Sequence, residues 1–131
     1  QATAAAIWMA RNGKSKAEIK EYIETKYEYD LDRTWEYLNQ RYGWKSSCQE
    51  TVPEAIIAFL ESSSFEDAIR KAVSMGGDSD TLACLTGGIA EAFYGEIPEE
   101  MILETKRVFP QIFHKILDAM KINTAYGKQN K

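Results

Sequence analysis

The residues Gly76-Gly77-Asp78-Ser79-Asp80-Thr81 put two carboxylates and two hydroxyls directly after a glycine pair. Glycine lets the backbone turn where side-chain-bearing residues resist, and Asp, Ser and Thr oxygens accept from the free amides that open a helix. The positive end of a helix dipole stabilises negative charge at such a place. One carboxylate suffices for capping. A second, two residues on, points elsewhere around the axis, and the two can converge only where the backbone is not yet helical. Three readings follow. The stretch is a turn with an N-cap, or a hard-cation site, or a phosphate cradle built from the amides of the glycine turn. For the second reading, oxygen-only donors suit Mg²⁺, Mn²⁺ or Ca²⁺ rather than Zn²⁺. The third is the weakest, because two carboxylates repel a phosphate unless a metal lies between them.

The elements that must position this stretch read as helices. Ser64 with Asp67 opens one that runs through Ala68, Ile69, Ala72 and Val73 and stops at the glycine pair. Ser79 to Tyr94 forms the next, with Gly87 and Gly88 in its interior, each costing about 1 kcal/mol relative to alanine. Close approach of a neighbour offsets such a cost, and the alanine-rich first helix or a part of the protein beyond this chain is expected to supply it. Thr51 with Glu54 predicts a capping box with Pro53 in the first turn, and Ala55 to Leu60 is apolar almost all round, as in a buried helix.

Earlier in the chain, Ala2 to Asn12 predicts a helix ended by Gly13. Ser15 and Glu18 predict a capping box for a second helix with Ile19, Tyr22 and Ile23 on its apolar stripe. Lys14, Lys16, Lys20 and Lys26 alternate with Glu18, Glu21 and Glu24, the pattern of a solvated face. Tyr27 to Leu31 reads as a connector, Asp32 as the cap of a short helix ending near Gly43, and Tyr42 to Glu50 as an irregular polar segment. Pro98-Glu99-Glu100 starts a further helix that Pro110 interrupts. Phe109, Ile112, Phe113, Ile116, Leu117 and Met120 form one stripe beyond, and residues from Asn123 are expected to fray. His114, the single histidine, falls off that stripe and is expected to face solvent, which removes a serine or cysteine triad from contention.

At 131 residues and 44% apolar content the chain is long enough for one domain with a core. A net charge of −4 without a basic stripe argues against nucleic acid or an anionic membrane as partner. Cys48 and Cys84 form no Cys-x-x-Cys pattern and read as reduced cysteines of a cytoplasmic protein, Cys84 as a small core residue. Ala2 to Ala10 is too short to span a bilayer and has no basic flank before it. The first residues already read as helix interior, so the chain is expected to begin inside a longer protein.

Gly76 to Thr81, with Leu82-Ala83, the run Gly87-Gly88-Ile89-Ala90-Glu91-Ala92-Phe93-Tyr94-Gly95 and then Ile97-Pro98, resembles the C-terminal signature of the ADP-ribosylglycohydrolases. These are relatives of the dinitrogenase reductase-activating glycohydrolase. Gln1 to Ala6, Ala10-Arg11-Asn12-Gly13 and Ser47 to Ala55 resemble upstream parts of the same family, so the resemblance runs from Gln1 to about Met101. It is specific around the Asp-x-Asp-Thr and supportive elsewhere.

The resemblance implies an all-α, compact multi-helix orthogonal bundle that is part of the larger ADP-ribosylglycohydrolase fold. It also implies a binuclear Mg²⁺ centre, with Mn²⁺ the alternative ion, at the bottom of a substrate cleft. Asp78, Asp80 and Thr81 match one set of metal ligands. The family's other set, a Thr-Asp-Asp-Ser/Thr segment from the N-terminal half, has no counterpart in this chain. Residues 1–131 are therefore expected to be the C-terminal portion of a single domain, with the missing N-terminal half as partner. They would carry half of the metal site and be inactive alone. By resemblance, Cys48, Gln49, Glu50, Gly76 and Gly77 are expected near an ADP-ribosylated substrate, and the catalytic acid or base has no assignment here. The implied reaction is hydrolysis of the glycosidic bond between ADP-ribose and an acceptor, a protein side chain such as arginine or a small conjugate. The alternative is a non-catalytic relative that keeps the fold for binding or structure, against which the retained Asp78, Asp80 and Thr81 count.

Overall fold

The computed structural model describes residues 1–45 and 47–128, and the side chains as far as residue 120. Among the described residues it is all-α, with helices α1 (Ala2–Arg11), α2 (Lys16–Tyr27), α3 (Trp35–Arg41), α4 (Cys48–Leu60), α5 (Phe65–Ser74), α6 (Ser79–Tyr94), α7 (Glu99–Val108) and α8 (Gln111–Lys128). They fall into two units, Gln1–Ile97 and Pro98–Lys131. Among the described residues no helix is long and apolar enough to cross a membrane.

The first unit is built on α4 and α6. Ala55, Ile56, Ile57, Ala58 and Phe59 are all buried, as the unbroken apolar run predicts, and they meet Leu82, Ile89 and Ala90 of α6 in one core. Thr86 of α6 is also buried, and its hydroxyl donates to the Ala55 carbonyl at 2.9 Å, tying the two central helices together. The interior glycines of α6 receive isoleucines. A Cβ on Gly88 would sit 3.4 Å from Ile7 Cδ1 of the alanine-rich α1, and one on Gly87 would sit 3.0 Å from Ile69 Cδ1 of α5. The expected close approach therefore comes from within the unit.

The capping box of α2 forms as the sequence predicts, with Glu18 accepting from the Ser15 amide at 2.8 Å. Its lysine face is not uniformly solvated. Lys16 turns inward and donates to the Leu60 and Ser62 carbonyls and to Tyr94 Oη at 2.9 Å, with its ammonium 5.1 Å from the Phe59 ring centre. A cation at the carbonyl end of α4 is favoured by the helix dipole. Sequence periodicity had no means of seeing that receptor, which is assembled from α4, α6 and the turn after Leu60.

Two helix starts also differ from expectation. The cap of α3 is Thr34, whose hydroxyl accepts from the Tyr37 amide at 3.2 Å, while Asp32 instead pairs with Lys20 at 2.6 Å. Helix α4 begins at Cys48 with Ser47 as N-cap, so Pro53 lies inside the helix and not in its first turn. There its missing N–H frees the Gln49 carbonyl. Cys84 is exposed, not a core residue.

In the second unit α7 ends at Val108 and α8 resumes at Gln111, so Pro110 interrupts as expected. The stripe of Phe109, Ile112, Phe113, Ile116, Leu117 and Met120 is exposed. His114 is half-buried, not solvent-facing, and its Nε2 lies 2.9 Å from the Lys106 carbonyl. Helix α8 continues to Lys128 past the point where fraying was expected, and residues 129–131 lie outside the described residues.

Candidate functional site

The glycine pair forms the turn that the sequence predicts, with φ of +75° at Gly76 and +60° at Gly77. Gly77 is also pressed against the segment after α3. A Cβ there would lie 2.8 Å from the Gly43 carbonyl oxygen and 2.9 Å from Tyr42 Cε1. The turn thus fixes Asp78 beside Tyr42.

Asp78 occupies the N-cap position of α6 with φ −80° and ψ 63°, and its side chain makes no capping hydrogen bond. It faces Asp80 instead. The Asp80 side chain lies beside that of Asp78, and its Oδ1 accepts from the Thr81 amide at 3.0 Å. The contact with Asp78 first, and then the amides of Thr81 and of Asp80 itself, hold the Asp80 carboxyl below the usual carboxylate range. The two carboxyls therefore converge, and main-chain amides satisfy them only in part. Asp78 is half-buried, while Asp80 and Thr81 are exposed.

These oxygens are hard donors of the kind Mg²⁺ takes. Among the described residues no group of three or more His, Cys, Asp and Glu side chains is placed to hold a metal. Two carboxylates and one hydroxyl fit part of an octahedral set of about six oxygens and leave the rest to water or other groups.

The residues expected near substrate divide. Gln49 and Glu50, in the first turn of α4, line a cleft of 290 Å³ together with Tyr42, Lys45 and Glu54. Glu50 accepts from Ser47 Oγ at 2.8 Å and pairs with Lys45 at 3.1 Å, and these two contacts, Ser47 first, lower its pKa. Cys48 does not line the cleft, and it neighbours Tyr29. Gly76 has open space where a side chain would go, whereas Gly77 is committed to packing.

Tyr42 joins the cleft to the aspartates. Burial pushes its phenol above the usual value, the Thr51 hydroxyl beside it opposes, and the nearby carboxylates of Glu54 and Asp78 push it further. Both Tyr42 Oη and Glu54 Oε2 are buried without a hydrogen-bond partner among the described residues, the Thr51 hydroxyl lying near Tyr42 without a well-formed bond. Glu54 Oε1 pairs with Arg33 Nη1 at 2.7 Å.

The profile of the ADP-ribosylglycohydrolase family matches residues 1–128. The chain belongs to this family. Over 71 residues it is 35% identical to an uncharacterized protein of Archaeoglobus fulgidus, a match covering 54% of the chain and 23% of that protein. Over 54 residues it is 41% identical to the ADP-ribosylhydrolase ARH3 of Homo sapiens, covering 40% of the chain and 14% of that enzyme. The matched stretches are thus under a quarter of either relative's length. No solved structure matches.

In this family member, Arg33, Tyr42 and Glu54 are the site neighbours that motif reading missed. A signal existed for Glu54: it is a lone charge that precedes the buried run Ala55 to Phe59. Such a charge needs a partner, and Arg33 is that partner.

Proposed function

We propose that this chain is the C-terminal portion of an ADP-ribosyl hydrolase domain and that Asp78, Asp80 and Thr81 supply half of a Mg²⁺ centre. The observation that carries the proposal is the pairing of the Asp78 and Asp80 carboxyls at a helix start where Asp78 leaves its capping role unused. A side chain needed only to end a helix would bond the free amides of the first turn. When bound, Mg²⁺ supplies positive charge that orients sugar hydroxyls and eases removal of a proton from water.

The chain's own contribution is placement. The glycine turn, braced on Tyr42 and Gly43, holds Asp78 so that it faces Asp80, and the Thr81 amide orients the Asp80 carboxylate. Gln49 and Glu50 line one cleft with Tyr42, the residue against which the glycine turn is braced. The bond cleaved is the glycosidic bond between ADP-ribose and an acceptor such as an arginine side chain. The general acid or base lies outside this chain, so the chain alone is inactive and binds Mg²⁺ weakly.

The test uses the protein together with its N-terminal half. Asp80→Asn should lower Mg²⁺-dependent release of ADP-ribose from ADP-ribosyl-arginine by about 100-fold or more, since a metal centre contributes several kcal/mol to the transition state. Normal turnover by that variant would remove Asp80 from the site. A full-length protein giving no calorimetric heat with Mg²⁺ or ADP-ribose would make it a non-catalytic relative.

A further inference from the structure

The geometry points to Glu54 and Tyr42 as positioning residues for Asp78: Glu54 anchors the Tyr42 hydroxyl, and the Tyr42 ring fixes the glycine turn that carries the aspartate. The inference rests on the metal reading of Asp78, Asp80 and Thr81 and extends it to side chains outside that donor set. Arg33, just before α3, and Tyr42, just after it, both turn onto one face of α4, where Thr51 and Glu54 lie one turn apart. Arg33 is itself held, because its Nε and Nη2 donate to the Asp30 carbonyl at 3.2 and 3.0 Å while Nη1 donates to Glu54 Oε1 at 2.7 Å. A carboxylate gripped at one oxygen by a fixed guanidinium has its second oxygen in a set place. That oxygen, Glu54 Oε2, is buried and has no donor among the described residues, and Tyr42 Oη is buried without a partner as well.

A phenol has one proton to give, and the carboxylates near Tyr42 are those of Glu54 and Asp78. Asp78 is half-buried and open in part to solvent, whereas Glu54 Oε2 is shut in. An unserved acceptor costs more in the second place, so the Tyr42 hydroxyl serves Glu54. The two atoms do not bond directly. A single water between them, with the Thr51 hydroxyl beside Tyr42 as its third partner, completes the link. The link matters because of what the ring supports. Gly76 and Gly77 both have left-handed φ, the most permissive backbone in the chain, and a Cβ on Gly77 would meet the Gly43 carbonyl oxygen and Tyr42 Cε1. A ring free to swing at its hydroxyl end leaves Asp78 on an unbraced turn, and part of the free energy of binding a cation is then lost to ordering that turn.

The test is a calorimetric titration of Mg²⁺, without substrate, into the full-length protein and its variants. Tyr42→Phe keeps the ring against Gly77 and removes only the hydroxyl. Glu54→Gln keeps an oxygen for Arg33 and puts an amide donor where the phenol's acceptor was. Each should weaken Mg²⁺ about fivefold, and the double variant should also lose about fivefold, not about 25-fold, because both changes cut one link. Saturating Mg²⁺ should restore kcat in Tyr42→Phe but not in Asp80→Asn. A pair with a merely structural role would lower the urea midpoint and leave the Mg²⁺ affinity of the folded protein unmoved. Parental Mg²⁺ affinity in Tyr42→Phe would therefore overturn the proposal, as would losses that multiply in the double variant. Should Glu54→Gln fail to fold, Tyr42→Phe decides alone. Asp80→Asn separates the two levels: if it binds Mg²⁺ as the parent does, the metal reading fails and this inference with it, and if it loses Mg²⁺ while Tyr42→Phe does not, only the positioning role fails.

Discussion

Gly76 and Gly77 offer a paired experiment, because both have left-handed φ but only one is crowded. An alanine at Gly76, with φ +75° and open space around its Cβ, bears the conformational strain alone, about 1–2 kcal/mol. At Gly77, with φ +60°, the same strain is joined by contacts of 2.8 Å to the Gly43 carbonyl oxygen and 2.9 Å to the Tyr42 ring. Neither obstacle is the free end of a flexible chain. One is backbone, and the other is a ring whose hydroxyl end is buried beside Glu54 and Asp78. Overpacking of this kind costs about 1–3 kcal/mol, so Gly77→Ala should destabilise by about 2–5 kcal/mol and Gly76→Ala by no more than about 2. Parallel urea denaturation of the two variants and the parent measures the difference, with unchanged slopes required for the comparison. Equal costs within about 0.5 kcal/mol would mean that the turn is not braced on Tyr42, and the account of how Asp78 is held would fail.

Lys16→Met keeps the aliphatic stem over Phe59 and removes the ammonium that bonds the Leu60 and Ser62 carbonyls and Tyr94 Oη. A loss of about 1–3 kcal/mol is expected in urea denaturation, where an ordinary surface lysine would give nothing measurable. Thr86→Val removes the single hydroxyl bond between α6 and the Ala55 carbonyl without changing volume, and should cost about 1 kcal/mol in the same assay. Glu18 has its pKa lowered from 4.5 to about 2, chiefly by Lys14 and then by the Ser15 amide and hydroxyl. A depressed folded-state pKa gives stability that is present above the unfolded value and lost as pH falls through the folded one. The stabilising effect of the capping box should therefore be intact above 4.5 and fade toward about 2, and Glu18→Gln should flatten the urea midpoint across that window.

The local rules worked wherever the competing partner was also local. Ser15 and Glu18, three residues apart, formed the box their spacing predicts, and the glycine pair turned where a turn was required. The rules failed at α4, where Ser47 with Glu50 and Thr51 with Glu54 both satisfy the pattern of a helix start. No local criterion separates them. Arg33, 21 residues away, decides the matter by taking Glu54 as its buried partner, which leaves the start to Ser47. The same cause hid Lys16, whose acceptors lie 44, 46 and 78 residues along the chain.

The candidate site repeats that division. Asp78 and Asp80 were legible as a pair because their chemistry is written in adjacent positions, but what they do depends on Tyr42, which reaches them only because Gly77 lacks a side chain. A capping reading of Asp78 predicts a bond from its carboxyl to the amides of α6, and that bond is missing, while the Thr81 amide bonds Asp80. The helix start is therefore oriented by the second aspartate, which frees the first to face into the space it shares with Tyr42.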